Sequence, residues 1–232
     1  MPDPYLLPLL LLGLLLGAKH ALDADHIAAI LTIATENRTF WRSSLIGFCW
    51  GVGHTAILLV VGAGVLFYKL SIPADWNTLF EAGVGVMLVA LGFSVGLAIW
   101  RERLHVHAHE HENAESHRHL HSHRTGAHHH HLHRFRLEYK SLAIGMVHGL
   151  AGSAALLLLV VATMPSVWQG LLYILVFGIG SIAGMMLLAT VLSIPFAVSA
   201  ERMARAHQVL RAGAAVVSIV LGSNILFGWL MS

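Results

Sequence analysis

Along this chain the polar positions are few and grouped, and the stretches between them are apolar without alternation. A membrane-spanning helix needs about 20 predominantly apolar residues. Six segments come close to or exceed that length: Tyr5–Thr35, Ser43–Tyr68, Leu79–Trp100, Ser141–Thr163, Gln169–Ser199 and Ala212–Leu230. The first is too long for one straight, perpendicular helix. Its leucine part, Tyr5 to Ala18, is too short to span alone, so a kinked, tilted or broken helix is predicted there. Ser43–Tyr68 carries no formal charge, and Leu79–Trp100 has Glu81 near its start. The uncharged run from Ser141 to Ala200 is split by Pro165 with Met164, Ser166 and Trp168. No segment has the period-two pattern of a barrel strand. The pattern predicts an all-α membrane protein with six transmembrane helices.

The first segment carries an anomaly. Between Leu16 and Ile27 it places Lys19, His20, Asp23, Asp25 and His26 inside leucine- and alanine-rich sequence. A charge at the centre of a membrane helix costs roughly 2.5–3.5 kcal/mol, so Lys19, Asp23 and Asp25 facing lipid would cost roughly 8–10 kcal/mol. The leucines from Leu6 to Leu16 offset only about 3–5 kcal/mol of that. This face must look onto protein or a wet cavity, and polar side chains kept there are functional suspects.

Composition and charge then narrow the class. The chain is 56% hydrophobic and 11% charged, against about 25% charged in a soluble domain, which makes it integral to a membrane. The single cysteine, Cys49, allows no intrachain disulfide. No Lys or Arg precedes the first apolar run and no cleavage-like break follows it, so it reads as a retained span rather than a secretory signal. Twelve of the 14 Lys and Arg residues fall in the loops after the first, third and fifth segments: Arg38 and Arg42, then Arg101 to Lys140, then Arg202, Arg205 and Arg211. The positive side is cytoplasmic. The expected protein is therefore multi-pass in the cell (plasma) membrane, with both termini outside. Residues 101–140 form a polar cytoplasmic loop between the halves 1–100 and 141–232, and it holds 13 of the 18 histidines, from His105 to His133. Such tracts bind metals by composition. Dispersal among Glu, Ser and Arg argues against a tag, leaving a flexible metal-binding tract or a solvated linker.

The halves share a weak internal likeness. Gly17-Ala-Lys-His20-Ala-Leu22 aligns with Gly145-Met-Val-His148-Gly-Leu150, which sets Asp25 opposite Ser153. Gly51-Val-Gly53-His54 aligns with Gly178-Ile-Gly180-Ser181, and Glu81-Ala-Gly83 with Arg211-Ala-Gly213. The offsets of 128, 127 and 130 are nearly constant. A duplicated unit of three spans puts its copies upside down relative to each other, a 3+3 inverted repeat of the kind transporters use.

His20, Asp25 and His26 form H-x4-D-H, and His54 follows Gly51-Val-Gly53. Imidazole with carboxylate suits Ni(II), Co(II) or Zn(II), and the absence of a Cys pair argues against a soft Cu(I) site. At about 100° per residue, a regular helix sets His20, Asp23 and His26 along one face and turns Asp25 away. Either the helix is broken here and Asp25 joins the ligands, or Asp25 fixes an imidazole from behind. Asp23 is either a ligand or the charge partner of Lys19. His54 alone would read as a helix-packing histidine, but His20 and His26 make it a ligand candidate. His148 is open between ligand and packing roles, because the matching carboxylates are missing from its repeat. His207, among Arg202, Arg205 and Arg211, reads as a solvated cytoplasmic residue.

At these residues the chain resembles the nickel/cobalt transporter (NiCoT) family. The family signature His-Ala-x-Asp-Ala-Asp-His-Ile is matched from His20 to Ile27, and its Gly-His-Ser signature by Gly53-His54-Thr55. These motifs cover roughly the first quarter of the chain. Larger members have eight spans and further acidic motifs. The six segments here and Gly145-Met-Val-His148-Gly-Leu150 look more like short urease-accessory-type relatives. The resemblance implies a permease for Ni2+ or Co2+, uptake favoured over efflux, with metal candidates His20, Asp23, Asp25, His26, His54 and His148. The metal is cargo rather than a cofactor. A metallochaperone at the histidine loop is a further expected partner, and no nucleic acid is. A membrane metalloenzyme needs several His boxes or H-E-x-x-H, and neither is present. A membrane-anchored metal store leaves the buried Asp/His motif unexplained.

Overall fold

The computed structural model describes residues 6–35, 39–69, 74–103, 136–151, 160–161, 164 and 166–231. Among them are seven helices and no strand: α1 (Leu6–His20), α2 (Ala24–Ala34), α3 (Phe40–Tyr68), α4 (Ala74–Arg103), α5 (Arg136–His148), α6 (Val167–Arg202) and α7 (Ala204–Met231). Helices α3, α4, α6 and α7 are long and apolar enough to cross a membrane. The pair α1–α2, bent by 53°, makes a fifth span if its two pieces count as one. Of the expected fourth span, α5 covers the beginning. Ser153, Pro165 and residues 104–135 of the histidine loop lie outside the described residues.

The predicted irregularity in the first segment falls at Ala21-Leu22-Asp23. The helical ladder frays as Ala21 N–H reaches Gly17 O at 3.4 Å, then tightens to three-residue bonds from Leu22 to Lys19 O (2.9 Å) and Asp23 to His20 O (3.1 Å). Asp23 is extended (φ −63°, ψ 147°) and occupies the N-cap position of α2 without capping it. Forgoing an Asp cap costs about 1 kcal/mol, and its carboxylate turns back toward His20 instead. Asp25, in the first turn of α2, sits where the helix dipole favours an anion. The end of α5 repeats these bonds 128 positions later: Gly149 to Gly145 O (2.9 Å), Leu150 to Val147 O (3.3 Å) and Ala151 to His148 O (3.2 Å).

Glycine lets the helices touch backbone to backbone, as small residues do in membrane bundles. A Cβ on Gly17 would overlap the Phe177 carbonyl, and one on Gly145 the Trp50 carbonyl. Likewise Gly180 abuts the Leu14 carbonyl and Gly53 the Leu142 carbonyl. Gly13 meets Tyr173 and Gly184 meets Ala21, so α1 runs parallel along α6; Gly53 on Leu142 and Gly149 on Ile57 likewise set α5 parallel along α3. Helices α3 and α6 pack antiparallel, Gly51 on Ile182 and Thr55 on Gly178. Helix α4 packs antiparallel on α7, where Ser218 Oγ donates to Leu88 O at 2.8 Å. The core around Ala21, Trp50, Leu88 and Met185 closes over the break. Because the overlapped atoms are backbone, Gly17→Leu or Gly145→Leu should lower stability in detergent by about 1–3 kcal/mol or prevent folding. Thermal unfolding followed by size-exclusion chromatography checks this.

Aromatic residues mark both ends of the bundle. Trp41, Trp100 and Tyr139 are exposed at one end, beside Arg42, Arg101 and Lys140. Tyr68, Trp76, Trp168 and Trp229 are exposed at the other, where Phe67 meets Trp168 edge to face. This is the double belt expected at two membrane–water interfaces. One reading from sequence needs correction: His207 is half-buried, its Nδ1 3.2 Å from Ser199 Oγ and its ring edge-on to Phe196.

Candidate metal centre

Four histidines from four helical segments converge at the break. His20 ends α1, His26 opens α2, His54 lies midway along α3 and His148 ends α5. Their exposures are 7%, 1%, 0% and 1%. An imidazole buried in a membrane protein needs a partner for both ring nitrogens, so what each nitrogen meets is the informative quantity.

His20 and His26 are held alike. His20 Nδ1 is 2.8 Å from Asp23 Oδ2, and His26 Nδ1 is 3.1 Å from Asp25 Oδ1. A carboxylate accepts only, so it fixes the Nδ1–H tautomer and leaves Nε2 with a lone pair. His20 Nε2 faces His54 Nε2 at 3.2 Å. His26 Nε2 and His54 Nδ1 are buried with no hydrogen-bond partner among the described residues. The ligand atoms of His20, His26 and His54 lie within 4.8 Å of one another, as do those of Asp23, Asp25 and His26. Both groups are of a size to hold one metal ion.

The break is what assembles this set. By turning α2 against α1 it lets the His26 ring come to 4.6 Å from that of His20, while within α2 Asp25 Oδ1 lies on the His26 ring and also accepts the His26 backbone N–H at 2.9 Å. The carboxylates are the wetter part of the site, with 45% of the Asp23 and 26% of the Asp25 side chain exposed. Asp23 pairs with His20 where sequence had left Lys19 as an alternative partner. His148 joins the cluster, its ring 4.8 Å from that of His26 and its Nε2 3.7 Å from Asp25 Oδ2. Helix α1 lies along α6 and α5 along α3, and the two pairs approach each other where the His26 and His148 rings meet.

Sequence reasoning missed the aromatic walls. Trp50, fully buried, lies 5.1 Å from the His148 ring and 6.2 Å from that of His26, and Phe177 lies 5.6 Å from that of His20. The signal was present: each aromatic immediately precedes a Gly-x-Gly of the internal alignment, Trp50 before Gly51 and Phe177 before Gly178. Ser181, aligned with His54, is fully buried.

Apolar spanning helices around a buried, carboxylate-oriented imidazole cluster define a multi-pass membrane protein equipped to handle a transition-metal ion. Residues 6–219 match the family described as high-affinity nickel-transport protein, and the chain belongs to that family. Its role is accordingly transport of nickel or cobalt rather than catalysis, with the ion as substrate. Among its relatives is the urease accessory protein UreH of Bacillus sp. (strain TB-90), 40% identical over 227 residues, covering 98% of this chain and 94% of the relative. Two Arabidopsis thaliana proteins are more distant: chloroplast protein FOR GROWTH AND FERTILITY 2 (26% over 219 residues) and FOR GROWTH AND FERTILITY 1 (24% over 178 residues). This chain covers 92% and 75% of its own length in those matches but only 55% and 46% of theirs. No solved structure matches it.

Proposed function

We propose that the chain carries Ni2+ or Co2+ into the cell, and that the ion is bound by His20, His26 and His54. Asp23 and Asp25 set the imidazole tautomers and supply negative charge, and His148 stands beside them. The observation that carries this reading is the pair of pinned rings: two carboxylates hold two Nδ1 atoms, with His20 Nε2 turned onto His54 Nε2 and His26 Nε2 buried without a hydrogen-bond partner among the described residues. A structural histidine pair has no need of that arrangement, whereas metal-bound histidines use it routinely. An inside-negative potential of about 100 mV supplies roughly 4.6 kcal/mol for a dication, enough for about thousandfold accumulation without nucleotide hydrolysis.

The architecture belonging to this reading is six spans in two inverted three-helix units, 1–100 and 141–232, joined by the histidine loop. Three matched features support it. The bonds that end α1 recur at the end of α5. The contact of Gly17 with Phe177 is mirrored by that of Gly145 with Trp50. His20 stacks near Phe177 as His148 does near Trp50. The excess of Lys and Arg in alternate loops supports both termini outside and the histidine loop inside, where it would buffer arriving ions and meet a metallochaperone.

Purified protein in liposomes with an inside-negative potassium diffusion potential should accumulate radioactive Ni2+ or Co2+, and collapsing the potential should stop it. Absence of flux in either direction from correctly folded protein would overturn the transport reading. Flux only out of the loop-facing compartment would reverse its direction. For the topology, a Ser122→Cys protein lacking Cys49 should resist impermeant maleimide in intact cells and react after permeabilisation. Efficient labelling in intact cells would invert the proposed orientation.

A further inference from the structure

Resting on the transport reading, we propose that the ion path has two stations. The second is formed by Asp25 and His148, and it exchanges ions with the cluster of His20, His26 and His54.

His148 motivates this. It is 1% exposed, and neither ring nitrogen makes a hydrogen bond of ordinary geometry among the described residues, the Ile144 backbone acting on the ring only weakly. A packing histidine satisfies at least one of them. Its Nε2 lies 3.7 Å from Asp25 Oδ2, too far for a hydrogen bond. Two ligands bonded to one cation at about 2.0–2.2 Å sit roughly 3–4 Å apart, which that separation matches. Asp25 can serve both stations because its oxygens are divided. Oδ1 holds the ring and backbone of His26, while Oδ2 faces His148.

His26 stands between the two. Its ring centre is 4.6 Å from that of His20 and 4.8 Å from that of His148. Each station also has its own aromatic wall, Phe177 behind His20 and Trp50 behind His148. Dications this close in a low-dielectric interior repel strongly, so the stations fill alternately. One ion passes from an imidazole-rich site to one with a carboxylate oxygen and back, with His26 as the common neighbour. The second station is the weaker binder of borderline ions because it offers fewer nitrogen donors. A transporter needs such a site for release.

The test uses the full chain with Co2+ alone as probe. Bound Co2+ is examined by X-ray absorption in detergent, and uptake is measured in proteoliposomes for wild type, H54A and H148A. In H148A, Co2+ affinity should stay within about threefold of wild type with unchanged imidazole scattering. Its uptake should fall at least about tenfold, the pattern of a lost transit step rather than a lost ground-state ligand. H54A should still bind Co2+, more weakly, with fewer imidazoles and a carboxylate oxygen in the first shell. H148Q, which keeps bulk and polarity, guards against misfolding and should transport no better than H148A.

Wild-type uptake by H148A or H148Q overturns the second station. So does a loss of affinity and of imidazole scattering in H148A equal to that in H54A, because that marks one shared site. If wild type moves no Co2+ while H54A and H148A bind it with these different ligand sets, the transport reading falls and the two stations stand.

Discussion

His54→Ala is expected to abolish metal uptake, with initial rates more than about 100-fold below wild type, beyond the range for losing an outer partner of a ligand. His54 is fully buried, its Nε2 is 3.2 Å from His20 Nε2, and its flanking residues Gly53 and Thr55 offer no imidazole in its place. Removing the ring also leaves a cavity against His20 and His26, whose centroids lie 4.9 and 5.6 Å away. The variant should nonetheless insert and fold. Its backbone approaches that of α5 through Gly149 and Gly53, which the substitution does not touch. Radioactive Ni2+ uptake, with size-exclusion chromatography as the folding check, decides the matter. Uptake within about threefold of wild type would remove His54 from the ion site.

Asp25→Asn is expected to lower metal affinity about 10–100-fold, the usual cost of losing the partner that orients a ligating histidine. The amide keeps the volume and can still accept from His26 Nδ1 through its oxygen. What it loses is the negative charge beside a cation and the strength of a charge-assisted bond. Asp23→Asn should cost less. Its carboxylate is the more exposed of the two, so water screens its charge and can replace part of its bond to His20. Isothermal titration with Ni2+ gives both constants. An Asp23 effect larger than the Asp25 effect would mean that ions are held at the wet edge rather than among the buried rings.

Much of the centre could be read before any helix was placed. Lys19, Asp23 and Asp25 in a leucine run announce a protected interior because their cost in lipid exceeds what the leucines return. The angular mismatch between Asp25 and the His20 face left two readings, a broken helix or Asp25 behind an imidazole; the chain breaks at Ala21 to Asp23, and Asp25 also lies on the His26 ring. What sequence left open is which carboxylate serves which ring. That depends on backbone angles such as ψ 147° at Asp23, which turn its side chain from capping α2 to holding His20. The aromatic walls were hidden for another reason. Trp50 and Phe177 read as ordinary apolar residues of their own helices, and only the parallel seating of α5 on α3 and of α1 on α6 brings them to the histidines.

The glycine seams have a mechanical consequence. Backbones in direct contact have no side-chain padding to yield, so α1 with α6, and α5 with α3, behave as stiff members, further coupled through the tight α3–α6 seam. Helices α4 and α7 form another stiff pair, pinned by Ser218 on Leu88. The short helix α2 packs against α4, α6 and α7 and so leans on both bodies at once. It is also the helix that carries Asp25 and His26. Any rocking of one body on the other turns α2 like a crank about the bend at Ala21 to Asp23, and so shifts His26 relative to His20 and His54. Small displacements between the two bodies would thereby change the spacing of His20, His26 and His54.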